Sequence, residues 1–382
     1  MTIERPARID RLRRTFADRG VDGVVVRRPP NVRYLTGYPS DYPPGSNHPL
    51  FAVVGGDEVA LILPEGDDAE RARTERDISV FGYATPGGTL DRVADVERLA
   101  AAALDAAVEQ AGLRGCRIGI EETAISVFHA AAVVRHGPAV AVDGAVEALR
   151  RIKDTGEVAA IRTAVGYNDL GFAAAGKAIG PGVSELAVQA AVVRAMQEVA
   201  GVPIDVLPQT NAFISGPRAA LGAAGATPRC LDRGDLMIID LNPIIAGYKG
   251  DTTRTFSVGL PSPEQQRIHK ALVRAIEAAE TLLRPGVRAC DVYATLVAAI
   301  TDAGLGTDLD HHGGYAIGLE HLERPYIIPA DPTLLAKGMV LTLEPGVYGP
   351  DIGGLRIEDN YLITADGCER LSRFPRDLVR CG

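Results

Sequence analysis

Four carboxylates in the second half of the chain stand in a pattern suited to holding cations. The segment LMIIDLNPIIAGYKGDTTRTF places Asp240 and Asp251 on either side of a turn. The later segment VLTLEPGVYGPDIGGLRIEDNYLI places Glu344 and Glu358 symmetrically about Gly349-Pro350-Asp351-Ile352-Gly353. Both read as hairpins, with apolar or β-branched flanks and turn residues at the centre. A hairpin centred between Ile245 and Ala246 sets the two aspartates face to face. Like charges opposed across a sheet are destabilising. Two ionised carboxylates ~4 Å apart repel by about 4 kcal/mol at an effective dielectric of about 20. Four of them cannot all stay ionised inside a domain without cations or shared protons. A divalent ion removes that penalty, and hard oxygen ligands suit manganese, magnesium or calcium. The competing reading is that these acids cap turns or pair with Arg254 and Arg356.

The elements that must position these acids follow from composition and period. A chain of 382 residues exceeds what one hydrophobic core usually serves, so two domains are expected, 1–147 and 148–382. Helical periodicity over 5–19, a buried strand at Val24–Val26, a hairpin from Leu50–Val54 and Val59–Leu63, and a helix over 95–111 predict a small α/β domain. A strand at 117–120 and a helix at 124–135 complete it. Residues 148–179 form one or two helices, since Gly156, Gly166, Gly171 and Gly176 each weaken a helix interior by ~1 kcal/mol. A helix over 184–200 starts at Ser184 as N-cap. Strands dominate 204–257, helices 262–283 and 288–304, and strands again from 310 onward. This α/β (α+β) order of helix pair then strands, given twice, suggests two related halves.

Net charge is −9, without a basic patch, so nucleic acid and anionic membrane are not expected partners. No apolar run approaches the ~20 residues of a membrane span, and MTIERPARIDRLRR lacks the apolar core of a signal peptide. Five scattered cysteines, Cys116, Cys230, Cys290, Cys368 and Cys381, form no CxxC pair. They predict a reducing cytoplasm rather than disulfides or structural zinc.

With these segments in order, the chain resembles the pita-bread metallopeptidase family, which includes methionine aminopeptidase, aminopeptidase P, prolidase and the metal-free creatinases. RIDRLRRTFADRGVDGVVVRRPPNVRYLTGY resembles the start of the N-terminal domain shared by prolidase, aminopeptidase P and creatinase, and ALRRIKDTGEVAAIRTA their domain junction. GYKGDTTRTFSVG, GMVLTLEPGVYGP and GGLRIEDNYLIT are similar to family signatures. The resemblance implies a creatinase/prolidase-like N-terminal domain followed by a pita-bread domain. It also implies metal ligands at Asp240, Asp251, Glu344 and Glu358, and a homodimer.

The family's fifth ligand, a histidine, falls at Tyr315. A phenol, with a pKa of about 10, is a poor ligand at neutral pH, although beside a metal it can ionise or donate a hydrogen bond. Further family histidines fall at Ala223 and Leu322. His312 or His321 could stand in as ligand, but strand alternation turns a side chain one residue away to the opposite face. His311, four residues before Tyr315, matches a family histidine, and Arg356 precedes Glu358 by two. The expected catalytic set is therefore His311, Glu344, Arg356 and Tyr315, with Glu344 as proton shuttle and His311 stabilising an oxyanion. His48, His129, His136 and His269 read as surface or helix residues. His48, in DYPPGSNHPL, is also a substrate-contact candidate.

The implied function is a hydrolase cleaving an amide C–N bond in a small peptide or amide, such as an Xaa-Pro dipeptide. Its ion is a divalent metal, manganese first, with magnesium, cobalt or zinc as alternatives, at one ion or none. The alternatives are a metal-independent creatinase- or ectoine-hydrolase-like amidohydrolase, a repurposed biosynthetic enzyme with Tyr315 in the site, and a non-catalytic binding module.

Overall fold

The computed structural model describes residues 5–38, 48–75, 77–85, 93–200, 205–206, 211–306 and 309–382. Most of the loop before His48 lies outside them. The chain divides into two compact units, Met1–Arg150 and Arg151–Gly382. Among the described residues no helix is long and apolar enough to cross a membrane.

The first unit is built on a six-stranded mixed sheet. Its strand Gly23–Val26 runs antiparallel to Phe51–Gly55 and parallel to Ile118–Ile120. The helix Val93–Gln110 lays Leu104, Ala107 and Val108 against Val25, Phe51 and Ile118. A helix not foreseen, Pro29–Thr36, begins with prolines in its first turn and ends at Gly37 with φ 70°. Proline is tolerated there because the first helical N–H groups have no intrahelical acceptor. His129 is wholly buried on the helix Val127–Val134, His269 is buried on the helix Pro263–Glu280, and His136 is buried too. The helix placement expected of His129 and His269 holds, with both rings buried, whereas His136 is neither on a helix nor at the surface.

The second unit repeats one plan. Residues 148–179 resolve into two helices, the second being Thr155–Ala178, opened by a reciprocal cap between Asp154 and Glu157. With Glu185–Ala200 it backs a four-stranded sheet through Phe172, Val188, Val192, Ile239 and Phe256. Helices Pro263–Glu280 and Ala289–Asp302 back a five-stranded sheet through Leu272, Ile276, Leu296, Leu341 and Tyr361. The first carboxylate hairpin belongs to the first sheet and the second hairpin to the other.

The first hairpin is offset from the expected register. Asp240 pairs with Thr253 and Ile245 with Tyr248, which centres the turn between Ala246 and Gly247. Both turn residues have positive φ, 48° and 81°. That is the two-residue turn whose twist matches the flanking strands. Asp240 and Asp251 are therefore diagonal neighbours on one face instead of direct partners. The second hairpin keeps the expected symmetry: Leu343 pairs with Asp359 and Gly346 with Arg356, so Glu344 stands across from Glu358.

Candidate metal centre

Backbone contacts fix the acids before their side chains interact. Asp251 follows Gly250, where a Cβ would lie 2.7 Å from the backbone of Ala164. Only glycine lets this strand approach the helix so closely. The amide of Asn360 then grips the backbone of Asp251, its Oδ1 accepting from Asp251 N at 3.3 Å and its Nδ2 donating to the carbonyl. Tyr315 follows Gly314, whose φ is 145° and whose Cβ would fall 2.0 Å from Thr342 O. The chain can only turn there without a side chain.

The two hairpins bring all four acids together. Ligand oxygens of Asp240, Asp251 and Glu358 lie within 4.8 Å of one another. Arg356 Nη2 donates to Asp240 Oδ2 at 2.7 Å, while its other nitrogens reach Gly222 O, Tyr348 Oη and Thr253 Oγ1. Thr253 in turn donates to Glu358 Oε2 at 2.9 Å. Asn242 Nδ2 donates to Asp240 Oδ1 at 2.9 Å. Arg254, the other guanidinium weighed as a partner, pairs with Asp359 and takes none of the four side chains.

Tyr315 stands among these acids. Its hydroxyl donates to Asp251 Oδ2 at 2.5 Å. Burial, reinforced by Asp251 and Glu344, pushes the phenol well above its ordinary pKa, so it carries its proton. Of the phenol's two possible roles, donating a hydrogen bond is the one this geometry provides.

The histidines correct an expectation. His312 and His321 both point into the site, their rings edge-on to Tyr315 with centroids 5.0 and 5.4 Å away. His312 Nδ1 lies 3.0 Å from Glu344 Oε1, and His321 Nδ1 3.4 Å from Asp251 Oδ2. Strand alternation does not apply to them, because the strand around Tyr315 is only Tyr315–Ala316 and its register is irregular. His311 Nε2 accepts from Tyr348 Oη at 2.9 Å. Tyr348, Thr253 and Asn242 were not foreseen. Period two signals the last two, since each follows a site aspartate by two residues.

The electrostatics separate the acids. Burial, opposed by Arg356, raises Asp240 to about 6. Burial and the neighbouring acids push Asp251 and Glu358 well above the carboxylate range. Glu344 is equally buried, yet His312, Arg356 and His311 outweigh burial and hold it below its ordinary value. Burial also lowers His311 and, together with Lys249, brings His321 to about 4.

These residues fit a divalent ion. Asp251 Oδ1 and Glu358 Oε1 are buried without a hydrogen-bond partner, a costly state that a cation relieves. Asp240 and Glu344 open onto a cavity of about 450 Å³, whose wall includes Leu221, Ala223, His311, His312, His321 and Leu322. A larger cavity of about 720 Å³ lies by His269, Arg274 and Asp377 and touches none of the four.

Known proteins share this plan. The model of metallopeptidase family M24 matches residues 159–365, and that of the creatinase/prolidase N-terminal domain matches residues 8–152. An Xaa-Pro dipeptidase of Pyrococcus furiosus is 31% identical over 373 residues, 97% of this chain and 99% of that protein. The crystal structure of the prolidase from Pyrococcus horikoshii OT3 is 28% identical, with a TM-score of 0.81 over 98% of this chain and 100% of that one. The prolidase from Thermococcus sibiricus, 25% identical, superposes with a TM-score of 0.83 over 100% of both chains. The fold is thus the prolidase-like pairing of a creatinase-type N-terminal domain with a pita-bread domain. The chain belongs to metallopeptidase family M24 and is a hydrolase of that family.

Proposed function

We propose that the chain is a metal-dependent peptidase that cleaves the amide bond before proline in a small peptide. The observation that carries this reading is the trio of buried carboxylate oxygens on Asp240, Asp251 and Glu358, two of whose residues present oxygens with no partner. The Xaa-Pro dipeptidase relative supplies the substrate class. Asp240, Asp251, Glu344 and Glu358 would hold the ion, which supplies an acidified water and a polarised carbonyl.

The chain's own residues do the rest. Glu344, held ionised, accepts a proton and returns it to the leaving amine. Arg356 and Asn242 fix the two oxygens of Asp240, and Tyr315 fixes Asp251. The Tyr348 hydroxyl lines the cavity beside the acids, its proton donated to His311 Nε2 and its oxygen accepting from Arg356 Nη1.

Manganese, a cytoplasmic location and a homodimer extend the same reading. The oxygen-rich donors and five free cysteines support the first two, and the family resemblance the third. The test is hydrolysis of a panel of Xaa-Pro dipeptides by manganese-loaded protein, with products identified by mass spectrometry. Turnover should be lost in Asp251→Asn and Glu344→Gln. Stoichiometric metal without cleavage of any Xaa-Pro peptide refutes the peptidase reading.

A metal-independent amidohydrolase is favoured by one observation: Asp240 and Asp251 already accept from Arg356 and Tyr315. Turnover that survives exhaustive chelation selects it.

A further inference from the structure

We infer that the chain holds a second cation, of the zinc class, between His311, His312 and Glu344, beside the carboxylate trio and separate from it. The inference rests on the reading above only through Glu344.

Geometry comes first. One ligand atom from each of these three residues lies within 4.8 Å of the other two. A tetrahedral zinc ion with bonds of about 2.0–2.1 Å needs ligand atoms about 3.4 Å apart, so the trio must close by no more than about 1.4 Å. The pair His312 Nδ1 and Glu344 Oε1 is already at 3.0 Å.

That pair is also unsatisfied. Both atoms are buried and neither has a hydrogen-bond partner, and Glu344 is only 5% exposed. Although 3.0 Å apart they form no hydrogen bond, so both remain available to a common cation.

His311 is oriented as a ligand. Its Nδ1 lies 2.7 Å from the carbonyl oxygen of His312, so this nitrogen must carry the proton. Nε2 is then left with its lone pair, now accepting from Tyr348 Oη. A backbone carbonyl on the far nitrogen is the usual outer contact of a metal-bound histidine. When Nε2 turns to an ion, Tyr348 keeps Arg356 Nη1 at 3.1 Å as its donor.

The donor chemistry distinguishes two sites. Three carboxylates suit a hard ion, whereas two imidazoles and one carboxylate suit zinc and leave a position open for water. All three residues line the cavity of about 450 Å³, and the side chain of His312 is 36% exposed, which provides an entry path.

The test uses chelator-stripped full-length protein titrated separately with Zn²⁺ and Mn²⁺, followed by calorimetry and by elemental analysis after equilibrium dialysis. Co²⁺ serves as a visible-spectrum probe of nitrogen coordination. His312→Ala and His311→Ala are compared with Asp251→Asn, and far-UV circular dichroism checks that each is folded. In the expected result, either histidine variant loses one Zn²⁺ or binds it more than about a hundredfold more weakly, beyond the 10–100-fold of an outer-contact change. The Co²⁺ spectrum changes with it, and Mn²⁺ uptake stays as in wild type. Asp251→Asn should lose Mn²⁺ and keep the histidine-dependent Zn²⁺. Zn²⁺ uptake that ignores both histidines overturns the inference, and Asp251-dependent Mn²⁺ binding then leaves the carboxylate reading standing. Zn²⁺ bound through the histidines with no Mn²⁺ uptake upholds the inference and sinks that reading. Uptake of neither metal refutes both.

Discussion

Replacing Asp251 with Asn should stabilise the metal-stripped protein while abolishing its response to manganese. Asp251 faces Asp240 and Glu358 with ligand oxygens within 4.8 Å. At that separation each ionised pair repels by about 3.5 kcal/mol at an effective dielectric of about 20. Asp251 escapes by keeping a proton, as its strongly raised pKa indicates. Holding a proton at pH 7 on a carboxyl with an ordinary pKa of about 3.9 costs about 4 kcal/mol, and this caps the penalty. Asn has nearly the same shape, carries no charge and still accepts from Tyr315. Its expected gain in metal-free unfolding free energy at pH 7 is therefore about 2–4 kcal/mol. The sign with pH is fixed. The folded state binds more protons than the unfolded one above pH ~4, so the wild type loses stability as pH rises and the gain vanishes near pH 4. With manganese at about 100 times its dissociation constant the wild type recovers about 2.7 kcal/mol and the variant nothing. Urea unfolding at pH 4.5, 6 and 7.5, with chelator or with manganese, measures all of this. A stripped variant less stable than wild type at pH 7, or a difference that ignores pH, refutes the reasoning.

Arg356→Met leaves Asp240 buried without its cation and should cost about 3–5 kcal/mol by urea unfolding at neutral pH, less at pH 5 where Asp240 takes a proton. Burial holds His269 neutral down to about 4, so the unfolded state binds more protons between pH 6.5 and 4 and stability falls as pH falls through that window. His269→Gln should remove about 3 kcal/mol of that acid sensitivity, read as a flatter pH profile of the unfolding midpoint. Gly314→Ala meets Thr342 O at 2.0 Å, so the chain before Tyr315 must move. Metal uptake should fall at least tenfold by equilibrium dialysis even where the protein remains folded.

The four acids and the doubled plan were legible because hairpin residues and helix periods are local signals. The second hairpin reads directly, since a symmetric glycine-bounded turn fixes its register. In the first, the shift came from Ala246, which takes a positive φ that its residue type does not advertise. His312 and His321 were discounted on an alternation that needs a regular strand, and the strand there is two residues long. Tyr348 reaches His311 across a sequence separation that no local pattern reveals. Pro29–Thr36 was hidden because its prolines signal a turn as readily as a helix start.

The division of the acids between two hairpins also bears on how the chain folds. Each hairpin, alone, holds only two of them. Asp251 and Glu358 meet only when segments about a hundred residues apart dock, a slow, non-local step. The charge clash is therefore deferred until both halves are formed. A cation that binds only the docked arrangement should slow unfolding far more than it speeds folding, acting as a latch rather than a template.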